Sequence, residues 1–275
     1  AENILDLTLP IRDGGVITRV GNFQADSSTL TAVKLPPTLK TIDGMAFYAI
    51  SALVSVTPFL PDSVTTIGGG AFVQSGNLKG DLRIGFGTNV VGDPVPVSLP
   101  YHDGTRSLAF KQTAVGPNVA LGPGVTSVPA EMFMTVGTIT NLYLGENIAL
   151  IGYSAFDNLG KSKRAAAVFA GDKPATISTS AFGGAKAQYL RFFLPMRYRS
   201  RHPAWYAFVT DPAKVTPWKE LTDAQRTAYW AAYPRAAGDR SRPYGLTLAG
   251  AAADGIPADQ WIFCGVDEAL ILMLD

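Results

Sequence analysis

The sequence is poor in the residues that carry most catalytic and metal chemistry. It holds one cysteine, Cys264, and two histidines, His102 and His202, among 275 residues. One cysteine excludes an internal disulfide framework and a multi-thiolate zinc site, and two imidazoles leave little for acid–base catalysis. Charged residues make up 16% of the chain, below the usual quarter. We therefore expect an ordered, noncatalytic protein with no cofactor and no bound metal.

Long apolar runs are also missing. The longest, residues 269–274, is far too short to cross a bilayer, so no transmembrane segment is expected. The chain begins with Ala1 rather than methionine and shows no basic and apolar leader of its own. This favours a leader removed before Ala1, and a chain trimmed by other means is the alternative.

Two short motifs invite a catalytic or nucleotide-binding interpretation, and their context weakens both. Gly160–Ser162 spells the end of a phosphate-binding loop, but the glycine required five residues earlier is Ala155. His202 lies near Ser200, yet a catalytic triad needs a convergence in space that sequence does not show. Neither motif supports an enzyme, so no catalytic residue is predicted.

What the chain does contain is one phrase that recurs along most of its length. Each copy ends in phenylalanine and has Ile or Val five residues before it. The copies are "LPPTLKTIDGMAF" to Phe47, "LPDSVTTIGGGAF" to Phe72, "LGPGVTSVPAEMF" to Phe133, "LGENIALIGYSAF" to Phe156 and "AGDKPATISTSAF" to Phe182. A shorter member, "SLAF", ends at Phe110 after an irregular stretch over 85–105. The intervals between these phenylalanines are 25, 38, 23, 23 and 26 residues.

Short alternating runs lie between the copies, at 30–35, 81–84, 140–144 and 166–170. Alternation over this length predicts a strand with one buried face. A single unit cannot bury its apolar edge alone, so we predict a repeat solenoid with a parallel strand ladder, short turns, little regular helix and a spine of phenylalanines. The glycines at 68–70 are replaced by "DGM", "PAE", "GYS" or "STS" in the other copies, which indicates a role in turning the backbone rather than in binding phosphate.

The unit "LPDSVTTIGGGAFVQSGNL" resembles the leucine-rich repeat of the BspA-like bacterial surface-antigen group, and the resemblance extends over about Leu30–Phe182. The chain departs from that pattern in lacking the cysteine that often follows "AF" and in the degenerate unit at Phe110. The resemblance implies a right-handed leucine-rich-repeat solenoid in a secreted or cell-surface adhesive protein of bacteria. It brings no catalytic residues with it.

Three regions are expected. Residues 1–29, with Phe23 placed 24 residues before Phe47, form a degenerate N-terminal repeat and cap. Residues 30–194 form the solenoid. Residues 195–275 form a C-terminal cap or small α+β domain, with a helix over 221–234 and strands near 244–250, 260–266 and 268–274.

A candidate binding surface follows from counting back along each copy. The residue before each Leu-Pro or its equivalent is expected to point outward on the strand face. These residues are Lys34, Phe59, Ala120, Tyr143, Phe169 and Phe193. An exposed aromatic stripe of this kind marks a partner. The alternatives are that the C-terminal segment folds over these residues and that the strand register differs from this count. The predicted ligand contacts are Tyr143, Phe169 and Phe193, with flanking charge from Arg191, Arg197 and Arg199.

Residues 161–242 carry 15 Lys and Arg against 5 Asp and Glu. The basic segment 191–206 is a solvated face, a contact for an anionic or protein ligand, or a nucleic-acid contact, and the sequence favours these in that order. The predicted function is noncatalytic binding of an extracellular protein or glycan, acidic partners included, through the strand face, with no nucleic acid. The alternatives are a structural spacer in a larger surface assembly and a hydrolase with its site in 195–275.

Overall fold

The computed structural model describes residues 3–21, 29–163, 165–171, 176–177, 181–183, 190–193, 215–217, 222–224, 242–247 and 262–265. Strands dominate these residues. In chain order they are β1 Ile4–Asp6, β2 Arg19–Val20, β3 Ala32–Lys34, β4 Thr41–Ile42, β5 Ser55–Thr57, β6 Thr66–Ile67, β7 Lys79–Ile84, β8 Ala114–Leu121, β9 Ser127–Val128, β10 Asn141–Leu144, β11 Leu150–Ile151, β12 Ala165–Phe169, β13 Thr176–Ile177, β14 Leu190–Phe193, β15 Val215–Pro217, β16 Arg242–Thr247 and β17 Ile262–Gly265. Helix in the described part is limited to the 3-10 turn Arg12–Gly14, the single 3-10 residue 29 and residues 223–224.

Each repeat contributes one strand to each of two parallel ladders. The first ladder consists of the sheets β1-β3-β5 and β7-β8-β10-β12-β14, and the second consists of β2-β4-β6 and β9-β11-β13. The recurring Ile or Val of each phrase lies in the second ladder, where Ile42 pairs with Ile67 and Ile151 pairs with Val128 and Ile177. The predicted parallel-strand repeat solenoid is therefore confirmed.

The phenylalanine spine runs through the middle of the solenoid. Phe47, Phe72, Phe110, Phe133, Phe156 and Phe182 are all among the largest fully buried side chains. Successive rings are stacked, with centroids 5.1 to 5.6 Å apart and planes within 16° of parallel. Each turn of the solenoid carries one ring, so the distance between rings stays close to the distance of about 4.8 Å between neighbouring strands.

The corner that delivers each spine phenylalanine needs an unusual backbone. The residue two before it has a positive φ in five copies, at Met45, Gly70, Leu108, Glu131 and Ser154. Glycine is required at 69 for a further reason, because a Cβ there would lie 2.5 Å from the Cα of His102 in the next turn. The glycines at 68–70 therefore serve close approach and turning, as the sequence indicated.

Backbone hydrogen bonds join the corners of successive turns, and they all point the same way along the solenoid. The Phe47 N–H donates to the Ala71 carbonyl at 2.7 Å, and the Phe72 N–H donates to the Ala109 carbonyl at 2.8 Å. The Phe133 N–H likewise donates to the Ala155 carbonyl at 2.9 Å. In each case the donor belongs to the earlier turn and the acceptor to the later one. We call this set the corner ladder.

The position where family members often carry cysteine is buried in the five copies in which the structure describes it, and it is filled by other residues. Three residues after the spine phenylalanine stand Ile50, Ser75, Thr113, Val136 and Leu159. Ser75 accepts a hydrogen bond from the Ile50 N–H at 3.2 Å and donates its own to the Phe47 carbonyl at 2.7 Å. A small polar or apolar side chain therefore replaces the thiol without leaving this site empty.

The degenerate unit keeps its place in the second ladder. Ser98 pairs with Thr66, the Ile67 N–H donates to the Ser98 carbonyl at 3.0 Å, and the Val97 N–H donates to the Gly124 carbonyl at 2.9 Å. Residues 97–98 thus bridge β6 and the turn before β9. The irregular stretch is an insertion in a complete turn rather than a missing repeat.

The two ends differ in what they present. At the N-terminal end, β1 and β2 are the first strands of the two ladders, and Phe23 lies outside the described residues. At the C-terminal end, β15, β16 and β17 form an antiparallel sheet. Two of the three strands expected there coincide with β16 and β17, whereas β15 was not expected and residues 268–274 lie outside the described part. Thr222 precedes helical residues at 223–224, and the rest of the expected helix is also outside it.

Candidate ligand-binding surface

The outward side of β7, β8 and β10 carries two rows of side chains, which we call the outer sheet face. The strands alternate, so that Leu82, Val119 and Leu142 point into the core while their neighbours point outward. The first row consists of Asp81, Asn118 and Asn141, and the second consists of Arg83, Ala120 and Tyr143. Parallel strands hold the members of a row about 4.8 Å apart.

The first row is a chain of hydrogen-bonded polar groups. The Asp81 carboxylate accepts from the backbone N–H of Asn118 at 3.0 Å and from its side-chain amide at 2.8 Å. The amide of Asn141 in turn donates to the Asn118 side-chain oxygen at 2.7 Å. Each side chain is thus fixed by its neighbour, and the row meets a ligand with little further loss of conformational entropy.

The second row combines a cation with aromatic rings. The Arg83 guanidinium lies 4.1 Å from the centroid of the Phe86 ring, just beyond the end of β7. Glycine at 122 provides room for that ring, because a Cβ there would lie 2.8 Å from it. Arg83 and Tyr143 are both half-buried. The row therefore offers rigid planar groups with polar tips, as binding surfaces commonly do.

Three of the predicted contact residues share this side of the sheet by register. Tyr143 lies in the second row, and the same row continues through Val168 to Phe193 on β14. Arg191 continues the first row through Ala166. The side chains of Arg191 and Phe193 lie outside what the structure describes, as do Arg197 and Arg199 altogether. Their role in binding stays a prediction.

The outward position expected for Phe169 is wrong. Phe169 pairs with the core residue Leu144 rather than with Tyr143, and it is 3% exposed. The last copy has one more residue between its two strands than the copy before it, since Ile177 lies eight positions after Phe169 whereas Ile151 lies seven positions after Leu144. A shift of one residue moves a side chain to the other face of a sheet.

Phe59 and Ala120 also fail to form an exposed aromatic stripe. Phe59 is the second residue after the end of β5 and turns inward, with its ring centroid 6.1 Å from that of Phe72 and 6.4 Å from that of Phe110. Ala120 is 8% exposed and Val168 is 7% exposed, although both lie on the outward side. In addition, β17 lies against β14. The accessible side chains of the outer sheet face are therefore Asp81, Arg83, Asn118, Asn141 and Tyr143.

A cluster of charges near the insertion is structural in character. The Glu131 carboxylate pairs with the Lys111 ammonium at 2.9 Å and with the Arg106 guanidinium at 3.6 Å. Arg106 also pairs with Asp103, and the hydrogen bonds from Arg106 and Thr105 hold the pKa of Asp103 well below its usual range. All of these carboxylates are matched by cations. Such mutual neutralisation is typical of an ion-pair network that fixes a loop.

Metal-binding and membrane-spanning features are not found in the described part of the chain. None of its His, Cys, Asp and Glu side chains form a group of three that could hold a metal ion. None of its helices is both long enough and apolar enough to span a bilayer.

The comparison with known families agrees with this architecture. The model of the BspA type leucine-rich repeat region matches six copies, over residues 17–84 and 105–197. The chain belongs to the BspA-type leucine-rich repeat family. The gap between the two matched ranges coincides with the insertion of the degenerate unit. No curated protein and no solved structure matches the chain.

Membership in the BspA-type family places the chain among repeat proteins that are associated with bacterial surfaces. Leucine-rich-repeat solenoids typically act as noncatalytic scaffolds that bind proteins. Sequence reasoning named Tyr143 as a candidate contact but did not consider its neighbours on the outer sheet face, Asp81, Asn118, Asn141 and Arg83. The available signal was the polar residue two positions before each outward residue of β7, β8 and β10, which the search for aromatic residues passed over.

Proposed function

We propose that this BspA-type chain is a noncatalytic adhesion module of a secreted or cell-surface bacterial protein. Its ligand, an extracellular protein or glycan, binds on the outer sheet face. The observation that carries this proposal is the fixed row Asp81–Asn118–Asn141 beside Arg83 and Tyr143. Rigid aromatics contribute contact area at low entropic cost, and fixed amides supply directional hydrogen bonds.

Charge near the face supports a partner with acidic groups as one form of this ligand. Arg83 lies on the face itself, and Arg191 continues the polar row by register. Together with Arg197 and Arg199, these guanidinium groups would pair with carboxylate or sulfate. Binding of an acidic ligand would weaken as the salt concentration rises, because ions screen exposed charges.

The test uses arrays of purified extracellular proteins and of defined glycans, followed by affinity measurement on any ligand found. The double variant Asn141→Ala, Tyr143→Ala removes one group from each row. We expect it to bind at least tenfold more weakly, since a contacted tyrosine is commonly an interface hot spot. The matched control is Tyr153→Ala, which removes an exposed tyrosine at a corner, away from the outer sheet face.

Far-UV circular dichroism must show that both variants are folded. Unchanged affinity in the folded double variant would place the ligand elsewhere on the molecule. Equal losses in the double variant and in Tyr153→Ala would show that the effect is not specific to the outer sheet face.

A further inference from the structure

The insertion between β7 and β8 contains a small, well-ordered hairpin. Thr88 pairs with Pro94 in an antiparallel bridge, and the Val95 N–H donates to the Gly87 carbonyl at 2.8 Å. We call residues 87–95 the insertion hairpin. It lies outside the ranges that match the family repeat, so the solenoid itself does not require it.

The tip of the hairpin is held by one asparagine. The Asn89 side-chain oxygen accepts hydrogen bonds from the Val91 N–H at 3.0 Å and the Asp93 N–H at 2.9 Å. The Asn89 N–H donates to the Asp93 carbonyl at 2.9 Å, and the Gly92 N–H donates to the Asn89 carbonyl at 3.0 Å. A loop of five residues is thereby fixed in one conformation.

This fixed tip presents two aliphatic side chains to solvent. Val90 is 104% exposed and Val91 is 77% exposed, the highest values among the large hydrophobic residues of the described part. Single exposed apolar residues are ordinary on protein surfaces, but two adjacent valines at the tip of a protruding, hydrogen-bonded hairpin form an apolar knob.

The base of the insertion hairpin adjoins the outer sheet face. The hairpin begins three residues after the end of β7, and Phe86, which carries the Arg83 guanidinium, lies between them. Insertions in repeat arrays commonly line the face that binds the ligand. One ligand can therefore contact the outer sheet face and the hairpin together.

We propose that the insertion hairpin is a second contact for the ligand of the outer sheet face, and that this ligand is a protein with an apolar pocket that receives Val90 and Val91. The inference rests on the proposed function and narrows it from protein or glycan to protein. Two valines bury apolar surface favourably, whereas they would leave the hydroxyl groups of a glycan without partners. The rigid tip loses little entropy on binding.

The charge of the insertion hairpin indicates which charge the rim of the ligand's pocket carries. The insertion hairpin carries one charged residue, Asp93. A pocket with a basic residue at its rim would complement this carboxylate, whereas an acidic rim would be repelled.

The test applies the same protein and glycan arrays to the wild-type chain and to Val90→Thr, Val91→Thr. Threonine keeps the β-branched shape and replaces a methyl group with a hydroxyl, so the hairpin is preserved while its apolar surface is reduced. The matched control is Val16→Thr, the same change at a valine that is 66% exposed on the first turn. We expect a protein ligand whose Kd rises about tenfold in the double variant, or about 1.4 kcal/mol, and stays constant in the control.

The outcomes separate this inference from the proposed function. Ligands found only on the glycan array, with binding lost in Asn141→Ala, Tyr143→Ala, would leave the proposed function intact and overturn the hairpin contact. A protein ligand that the threonine variant binds as tightly as wild type would overturn it as well. No ligand on either array would reject both proposals.

Discussion

Truncation of Phe72 tests how the spine stabilises the solenoid. The Phe72 ring is fully buried and stacks on Phe47 at 5.1 Å and on Phe110 at 5.3 Å, with Phe59 tilted against it at 6.1 Å. Removal of a buried phenylalanine costs about 3–5 kcal/mol, and each aromatic pair contributes about 0.5–1.5 kcal/mol beyond the buried area. With three ring partners, Phe72→Ala should lower the free energy of unfolding by about 5 kcal/mol.

Phe156 provides a graded comparison. Its ring stacks on Phe133 at 5.2 Å and on Phe182 at 5.6 Å, and no tilted third ring is found among the described residues. Phe156→Ala should therefore cost about 1 kcal/mol less than Phe72→Ala, the value of one aromatic pair. The exposed Tyr153→Ala should change stability by less than about 0.5 kcal/mol.

The assay is urea denaturation followed by far-UV circular dichroism. The urea midpoint of each variant and the slope of its unfolding free energy against urea concentration are compared with those of the wild type. Both are needed because a break between repeats would lower the slope as well as the midpoint. A loss below about 1 kcal/mol for Phe72→Ala would refute the spine as the core of the solenoid. A larger loss for Phe156→Ala would refute the count of ring partners as the measure of stability.

Three further predictions concern single positions. Gly69→Ala should destabilise the fold by more than about 2 kcal/mol in urea melts, because its Cβ would overlap the next turn, whereas Gly137→Ala, with nothing within 4 Å, should cost less than about 1 kcal/mol. Ser75→Ala should cost about 1–3 kcal/mol in the same melts, since it removes the hydroxyl that bonds to two buried backbone groups. The pKa of Asp6 is lowered from 3.8 to about 2, first of all by the Thr8 hydroxyl, so Thr8→Ala should raise it in an NMR titration.

The sign of the Asp6 effect follows from linkage. Its folded pKa lies below the ordinary value of 3.8, so the stabilising contribution is present above about pH 4 and is lost as the pH falls through about 2. An unshifted Asp6 pKa in Thr8→Ala would contradict the hydrogen-bond cause. Equal stability of the two glycine variants would contradict the steric argument, and a neutral Ser75→Ala would show that the backbone groups find other partners.

The spine could be read from the sequence because one residue type returns at nearly fixed intervals and ends the same phrase each time. Phe47 and Phe182 are separated by most of the solenoid, yet both are buried in equivalent places. The Ile or Val five residues earlier was also recognised as a recurring apolar position, but the second ladder that these residues form was not predicted. These features depend only on period and hydrophobicity, which the chain carries in its own residues.

It was harder to predict which strand residues point outward, because one inserted residue moves a side chain to the other face of the sheet. Counting 12 residues back from Phe182 places Ala170 in the core and Phe169 outside. The structure instead places Phe169 in the core, where its larger apolar side chain buries more surface, and the extra residue enters the following turn. A preference for the larger hydrophobic residue at the inward position would have corrected the count.

Periodicity alone did not show which polar residues bond to one another in the row, or what shape the hairpin takes. Asn118 and Asn141 become neighbours only once the strands are paired in register, and Asp81 joins them from a turn that lies 37 residues before Asn118. The hairpin lies in the one interval that breaks the repeat. Its shape depends on the local hydrogen bonds of Asn89, which no neighbouring copy repeats.

The corner ladder gives the solenoid a chemical direction. Each hydrogen bond described above for the corner ladder runs from an N–H of one turn to a carbonyl of the next. The peptide dipoles of the corners therefore add rather than cancel, much as they do along an α-helix. A turn presents carbonyls to the turn before it and N–H groups to the turn after it. Copies can therefore be exchanged or inserted only head to tail, and a turn docked in reverse at Phe72 would set donor against donor.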